Sequence, residues 1–323
     1  MNSTYNNIFG FTNEMMGAKP TKRHVQRGEK SRTRRLKKMN CSPVVGKISV
    51  GDSCYTPKIL MMIRDEYNKD HSASEQISES DPTKLWTELN RRLVHCEKED
   101  CWLNQIKDEQ LRKRIDRYIF APDKPYEWKK NPNEWLSNYD ILNVLEQYEE
   151  THKHFEFIGP SPIDFDKIVQ RKCVYDDLCN FQLSEHLKKG HTSIGAIFNL
   201  SPHTSSGSHW VSLFIDTKAK IIFYFDSAGA KIPKQINQFV KRVQDQALKM
   251  GVTYRFYENC PKEHQFGNTE CGVYSLFFII TMLTGRTKLA KGRLSTKRKI
   301  HLFRHRTIPD EYIEKYRNVY FND

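Results

Sequence analysis

Cys271 stands where a polar loop meets an apolar run, in QFGNTECGVYSLFFI, at the point where a helix is expected to begin. A thiol at a helix N-terminus faces unpaired N–H groups and the positive end of the helix dipole, and both favour thiolate over thiol. Taken alone, a cysteine ahead of an apolar helix is commonly just a small core residue. His209 changes the odds, because it follows the flexible Ser205-Ser206-Gly207-Ser208 and opens the strand-like run HWVSLFI, where its ring could serve as general base to the sulfur. Asp226 ends the next strand-like run, IIFYF. If the two runs pair antiparallel, its carboxylate lies beside His209, accepts the Nδ1 proton and leaves Nε2 facing sulfur. Gln265, six positions before Cys271, could add its amide to the backbone N–H of Cys271 as a second oxyanion donor, and Gly272 would leave room for a substrate backbone. Each residue also has a plainer reading: His209 as a packing residue, Asp226 as the start of an Asx turn, Gln265 as a solvent-facing loop side chain. Together they spell out thiolate attack on a carbonyl.

The elements that must position these residues are short β-branched and aromatic runs followed by helices. Ser193–Leu200, His209–Ile215 and Ile221–Phe225 are expected strands, the last two joined by a loop of hairpin length. A helix over Pro233–Met250, a strand at Val252–Tyr257, the polar loop Glu258–Glu270 and a helix over Cys271–Leu283 complete an α+β domain. Upstream, a helix opens near Trp135 with a broad apolar face through Tyr148. The breakers Pro122, Pro125, Asn131, Pro132 and Asn133 precede it. Further upstream, helices are expected from Pro57, from Pro82 with Asp81 as N-cap, and over Trp102–Ile119. The expected organisation is a disordered basic tail over 1–40, a helical N-terminal region over 41–125 and a catalytic domain over 126–323.

At 323 residues with 38% hydrophobic and 28% charged, the chain can bury a sizeable core, and no apolar run reaches membrane-spanning length. The first residues lack a secretory signal's apolar stretch, so a reducing compartment and free thiols are expected for the eight cysteines. Cys96 and Cys101 are the one close pair in the N-terminal third, a spacing that does not favour zinc; no metal or cofactor is expected. Charge is concentrated: Lys19–Asn40 and Arg286–Arg306 each net +9 within a total of +13, so the remainder nets −5. Such segments are either solvated or contact phosphates without sequence specificity, since aromatic interleaving is absent from the tail.

The spacing of His209-Trp210, Asp226, Gln265 and Cys271-Gly272, at offsets of 17, 56 and 62 from the histidine, resembles the ubiquitin-like-protein-processing cysteine proteases. That superfamily includes the SUMO proteases and adenovirus protease. GSHWVSLFID, YFDSAG and QFGNTECGVYSLFF, with the weaker WLSNYDI and PIDFD, carry the likeness, above all to the polyprotein-processing enzymes of large DNA viruses of the African swine fever virus type. Two departures stand out. Glu270 replaces the Asp usual before a SUMO protease's nucleophile, and Asp226 stands where the African swine fever type tends to have Asn. The resemblance implies a papain-like, ubiquitin-like-protease core with a central mixed sheet flanked by helices, and a thioester intermediate at Cys271. It also implies a narrow Gly-Gly channel flanked by Trp210 and Trp135, although core packing is the plainer reading of both, more so for Trp135. Cleavage after Gly-Gly in viral structural polyproteins, in the host virus factory and virion, is the expected function. A SUMO or ubiquitin-like deconjugase and a nucleic-acid-binding virion protein on an inactive scaffold are the alternatives.

Overall fold

Three consecutive apolar runs form the middle of one sheet. In a computed structural model of the chain, which describes residues 35–323, the strands are β1 (Phe155–Pro162), β2 (Ile168–Val169), β3 (Lys172–Cys173), β4 (Ser193–Asn199), β5 (Trp210–Asp216), β6 (Ile221–Phe225) and β7 (Arg255–Glu258). The main sheet has the order β1-β4-β5-β6-β7, and β2 pairs with β3 in a separate ribbon. β4, β5 and β6 are antiparallel neighbours, while β1 and β7 add parallel strands at the two edges. All five residues of β6 are buried, as a strand covered on both faces requires. The result is the mixed sheet flanked by helices that the sequence implied. β1 was not expected: its FEFIGPSP lacks alternation and carries two prolines, which fit an edge position.

After α1 (Pro57–Lys69), α2 (Pro82–Arg92) and α3 (Glu109–Ile119), the helices are α4 (Asn138–Thr151), α5 (Asp176–Cys179), α6 (Leu183–Lys188), α7 (Lys234–Lys249), α8 (Cys271–Thr284), α9 (Thr296–His305) and α10 (Asp310–Tyr320). One face of the sheet packs on α8 and α4 through residues such as Phe214, Phe223, Phe225, Ile141 and Phe278. The other packs on α7 through Val211, Leu213, Tyr224, Phe239 and Val243. α4 starts later than expected. Ser137 caps it in a reciprocal box with Asp140, which leaves Trp135 and Leu136 in the approach to the helix.

Two compact units divide the chain: residues 35–39 with Val45–Asp116, and Asn40–Val44 with Arg117–Asp323. The first contains α1 (Pro57–Lys69) and α2 (Pro82–Arg92), each with Pro at its start and capped by Thr56 and Asp81. The helix expected over Trp102–Ile119 is two pieces, a 3-10 turn at Asp100–Gln105 and α3 (Glu109–Ile119), because Ile106 is extended between them. Glu99 organises this unit's polar interior, accepting from Trp86 Nε1 and Cys54 N.

Two expectations are corrected. The free-thiol reading fails for Cys96–Cys101 and Cys173–Cys179, which are disulfides; Cys260 and Cys271 are free. The expected disordered tail lies mostly outside the described residues, but its last part is held: Lys37 N donates to Glu97 O, and Asn40 is bonded to Asn322 through both backbone and side chain. Among the described residues, no helix is long and apolar enough to cross a membrane.

Candidate active site

The β5–β6 hairpin and the head of α8 bring three side chains together. His209 immediately precedes β5, Asp226 immediately follows β6, and the register Ser212↔Phe225 places those two strand ends side by side. Asp226 Oδ1 lies 2.7 Å from His209 Nε2, and Cys271, the first residue of α8, is close enough to His209 to help raise its pKa. The nitrogens are therefore used in the opposite sense to the expected one. Nε2 faces the carboxylate, leaving Nδ1 for the sulfur.

Electrostatics follow from this arrangement. Burial works against a charged imidazole, yet the hydrogen bonds to Asp226 and Cys271 and their charges outweigh it, so the pKa of His209 is raised to about 10. Cys271 is 2% exposed and meets the positive end of a fourteen-residue helix.

Asp226 makes the contacts of both readings weighed for it. Besides its contact with His209, Oδ1 accepts from Ala228 N and the backbone carbonyl accepts from Gly229 N, closing the turn after β6. Gly229, at φ +71°, is required there, because a Cβ would lie 2.8 Å from Glu263 N. Asn259 grips the Asp226 backbone from both sides, accepting from its N–H and donating to its carbonyl.

Gln265 sits on the loop that leads to Cys271 and is buried. Its carboxamide is fixed at both ends: Oε1 accepts from Ser227 Oγ at 2.7 Å, and Nε2 donates to Gly267 O at 3.0 Å. One of its two N–H groups is thus spent, leaving the other as the candidate oxyanion donor. The loop itself is clamped by residues the sequence did not reveal. Asp310 Oδ2 accepts from Phe266 N and Gly267 N, while its Oδ1 accepts from Tyr274 Oη. His264 is completely buried between Phe303 O and Ile308 N, and burial pushes its pKa down to about 4, so it braces the loop as a neutral ring. Only the position of these groups in the fold identifies them; a His, a Tyr and an Asp scattered over 47 residues carry no spacing signal.

Glu270, the departure noted before the nucleophile, also has an assignment. Its carboxylate is 2% exposed and receives Arg317 Nε at 2.9 and 3.0 Å, while the rest of that guanidinium donates to Glu134 O and Thr269 O and stacks over Trp128.

Gly272 and the two tryptophans need correction. A Cβ on Gly272 would meet Leu136 Cβ at 3.0 Å and Trp210 Cδ1 at 3.3 Å, so this glycine makes room for packed side chains of the protein itself. Trp210 is 4% exposed and donates its indole N–H to Leu136 O, whereas Trp135 is 39% exposed, the reverse of the expected order. Both line a cleft of about 710 Å³ together with Tyr139, Pro160, His203 and Gly207. That cleft runs along the loop that delivers His209.

Comparison with known proteins bears on what this arrangement is. Residues 194–306 match the Ulp1 protease family, C-terminal catalytic domain. A thiol protease of Acanthamoeba polyphaga mimivirus is 36% identical over 155 residues, 47% of this chain and 49% of that protein, so the match spans about half of that relative. A SUMO-1 cysteine protease of African swine fever virus is 26% identical over 79% of this chain and 92% of its own length. The crystal structure of an African swine fever virus protease superposes with a TM-score of 0.60 over 89% of this chain and 97% of that one, at 22% identity, and so shares its fold. Residues 194–306 thus resemble the Ulp1-type cysteine protease domain, and the chain shares the fold of the African swine fever virus enzyme.

Proposed function

We propose that this chain is an endopeptidase that cuts after Gly-Gly sites in viral structural polyproteins during virion maturation, acting in the host virus factory and in the virion. The observation that carries the reading is His209 held by Asp226 at 2.7 Å and set near Cys271 at the head of α8, with a cleft lined by Trp135 and Trp210 along the loop before His209. In this mechanism the Cys271 thiolate attacks the scissile carbonyl, and the oxyanion is held by the Cys271 backbone N–H and the Gln265 amide. His209 then gives its proton to the leaving amine. Water, activated by the same ring, hydrolyses the thioester. Trp135 and Trp210 on the cleft support a preference for glycine, since a slot between indoles admits backbone more readily than side chains.

A deconjugase is the second reading, supported by the name of the African swine fever relative, a SUMO-1 cysteine protease. A panel of Gly-Gly-X peptides set against SUMO and ubiquitin conjugates separates the two. Efficient peptide cleavage with intact conjugates supports polyprotein processing; the opposite pattern removes it.

The basic segments support contact with nucleic acid, the basis of the third reading of a binding protein on an inactive scaffold. Lys299, however, lies within Arg286–Arg306 and is buried, donating to Met282 O, so it is unavailable to such a surface. Removal of residues 1–34 should weaken salt-sensitive DNA binding while leaving peptide hydrolysis near its original rate. Equal binding before and after removal would discard the tail's part in it. Labelling of Cys271 by an iodoacetamide no faster than that of Cys260 at neutral pH would favour the inactive scaffold.

A further inference from the structure

At the end of the sheet away from the nucleophile, three ligating side chains converge on one point. Glu156 is the second residue of the edge strand β1 and pairs with Ile194. His186 lies in the last turn of α6, and His191 sits in the short link between α6 and β4. The Nδ1 atoms of both histidines lie against the same carboxylate oxygen, Glu156 Oε2, and the three donor atoms are all within 4.8 Å of one another.

The cluster is built on fixed backbone. His191 N donates to His186 O at 3.0 Å, closing the link on itself, and Thr192 N donates to His154 O at 2.8 Å, tying it to the chain just before β1. Phe181, buried, stacks on the His186 ring at 4.5 Å and 18°. Each of the three side chains is a quarter exposed or less.

A purely hydrogen-bonded cluster would have both Nδ1–H groups donate to Glu156. His186 does so. His191 Nδ1, by contrast, is buried and makes no aligned hydrogen bond, although it lies beside the same oxygen. A buried ring nitrogen set against a carboxylate with no aligned hydrogen bond is left unsatisfied by the protein alone.

We propose that Glu156, His186 and His191 form a binding site for a first-row divalent metal ion, zinc foremost, with the fourth position open to water. Two imidazoles and one carboxylate are the ligand set of several three-ligand zinc sites, and imidazole nitrogen selects against magnesium and calcium, which take oxygen. The ion would clasp edge strand β1 to the α6–β4 link. β4 runs from Ser193 beside this cluster to Asn199 opposite Trp210, roughly 20 Å at strand rise, so the site is separate from the reacting centre.

The test uses the full chain with Cys271→Ala, which removes the thiolate as a competing ligand, stripped of metal and titrated with zinc chloride against a chromophoric chelator. One equivalent of zinc should bind, the unfolding midpoint should rise by several degrees, and cobalt(II) in its place should give a visible spectrum without thiolate charge transfer. His191→Ala and Glu156→Gln should each weaken binding by roughly tenfold or more and abolish the midpoint shift. His186→Asn provides the same test if His191→Ala does not fold. Zinc affinity unchanged in the folded variants, or absence of zinc binding by the parent, would overturn the proposal. The same substitutions with Cys271 restored should leave peptide cleavage intact.

Discussion

Arg317 on α10 and Glu270, the residue before the nucleophile, form a buried ion pair in which guanidinium and carboxylate are 6% and 2% exposed. Every polar atom of the guanidinium is directed at Glu270 or at a carbonyl of the 132–134 and 269 segments. The pair fastens the loop that approaches Cys271 to the C-terminal helix. Arg317→Met should strip the partner from a buried carboxylate and destabilise the protein by about 3–5 kcal/mol in urea unfolding. Glu270→Gln in the same chain should restore part of that loss; no recovery in the double variant would mean that the cost comes from the lost carbonyl contacts.

Cys271→Ala removes one sulfur from a buried position and should lower peptide cleavage by ~10⁴-fold or more with a near-unchanged unfolding midpoint. Residual turnover at the parental rate would eliminate the nucleophile assignment.

The charge state of His209 gives a pH prediction. Its folded pKa, about 10, lies above the ordinary 6.5, so the protonated ring stabilises the fold fully below pH 6.5 and that contribution is lost as pH rises through 10. The alkaline limb of kcat/KM should accordingly sit well above a normal histidine. Asp226→Asn should move it toward neutral pH, because the carboxylate's hydrogen bond and charge are two of the groups holding the proton on. An unmoved limb in that variant would show that Asp226 does not set the charge of the ring.

Gly272→Ala tests packing at the nucleophile. The new methyl would press on Leu136 and Trp210, at a cost of about 1–3 kcal/mol. Leu136→Ala in the same chain should return part of that stability, and strictly additive losses would place the strain elsewhere.

Gln265→Ala should lower kcat by about 10²–10³-fold with little change in KM if its free N–H meets the oxyanion. Asp310→Asn, which loosens the loop without touching its amide, should produce a smaller loss of the same kind. A Gln265→Ala enzyme of parental kcat would leave the oxyanion to backbone donors alone.

Much of this centre was legible in the sequence because each of its parts lies at an element's end. IIFYF closes at Asp226, HWVSLFI opens at His209, and a polar-to-apolar switch marks Cys271; the strand β6 and the start of α8 fall where those signals put them. The direction of the imidazole was not legible, because which nitrogen meets the acid depends on a side-chain rotation that no periodicity encodes. Exposure of the two tryptophans was reversed for a related reason. Ser137 and Asp140 set the helix start two residues beyond Leu136, and that offset leaves Trp135 on the cleft while Leu136 O receives the Trp210 indole. Edge strand β1 went unseen because its prolines and glycine look like a loop until a neighbouring strand is there to pair with it. The Cys96–Cys101 and Cys173–Cys179 disulfides were missed since they join cysteines only five and six positions apart, a local geometry that a compartment argument cannot address.

Every residue of α8 except Thr284 is buried, so the sulfur is mounted on the least solvent-accessible helix among the described residues. Loosening such a rod means exposing apolar side chains on all its faces at once, which in amide exchange corresponds to the slowest, whole-domain opening. Reactivity at Cys271 and survival of the catalytic unit should then fade together on heating. This protease would have no intermediate temperature at which its nucleophile softens while the sheet behind it still stands.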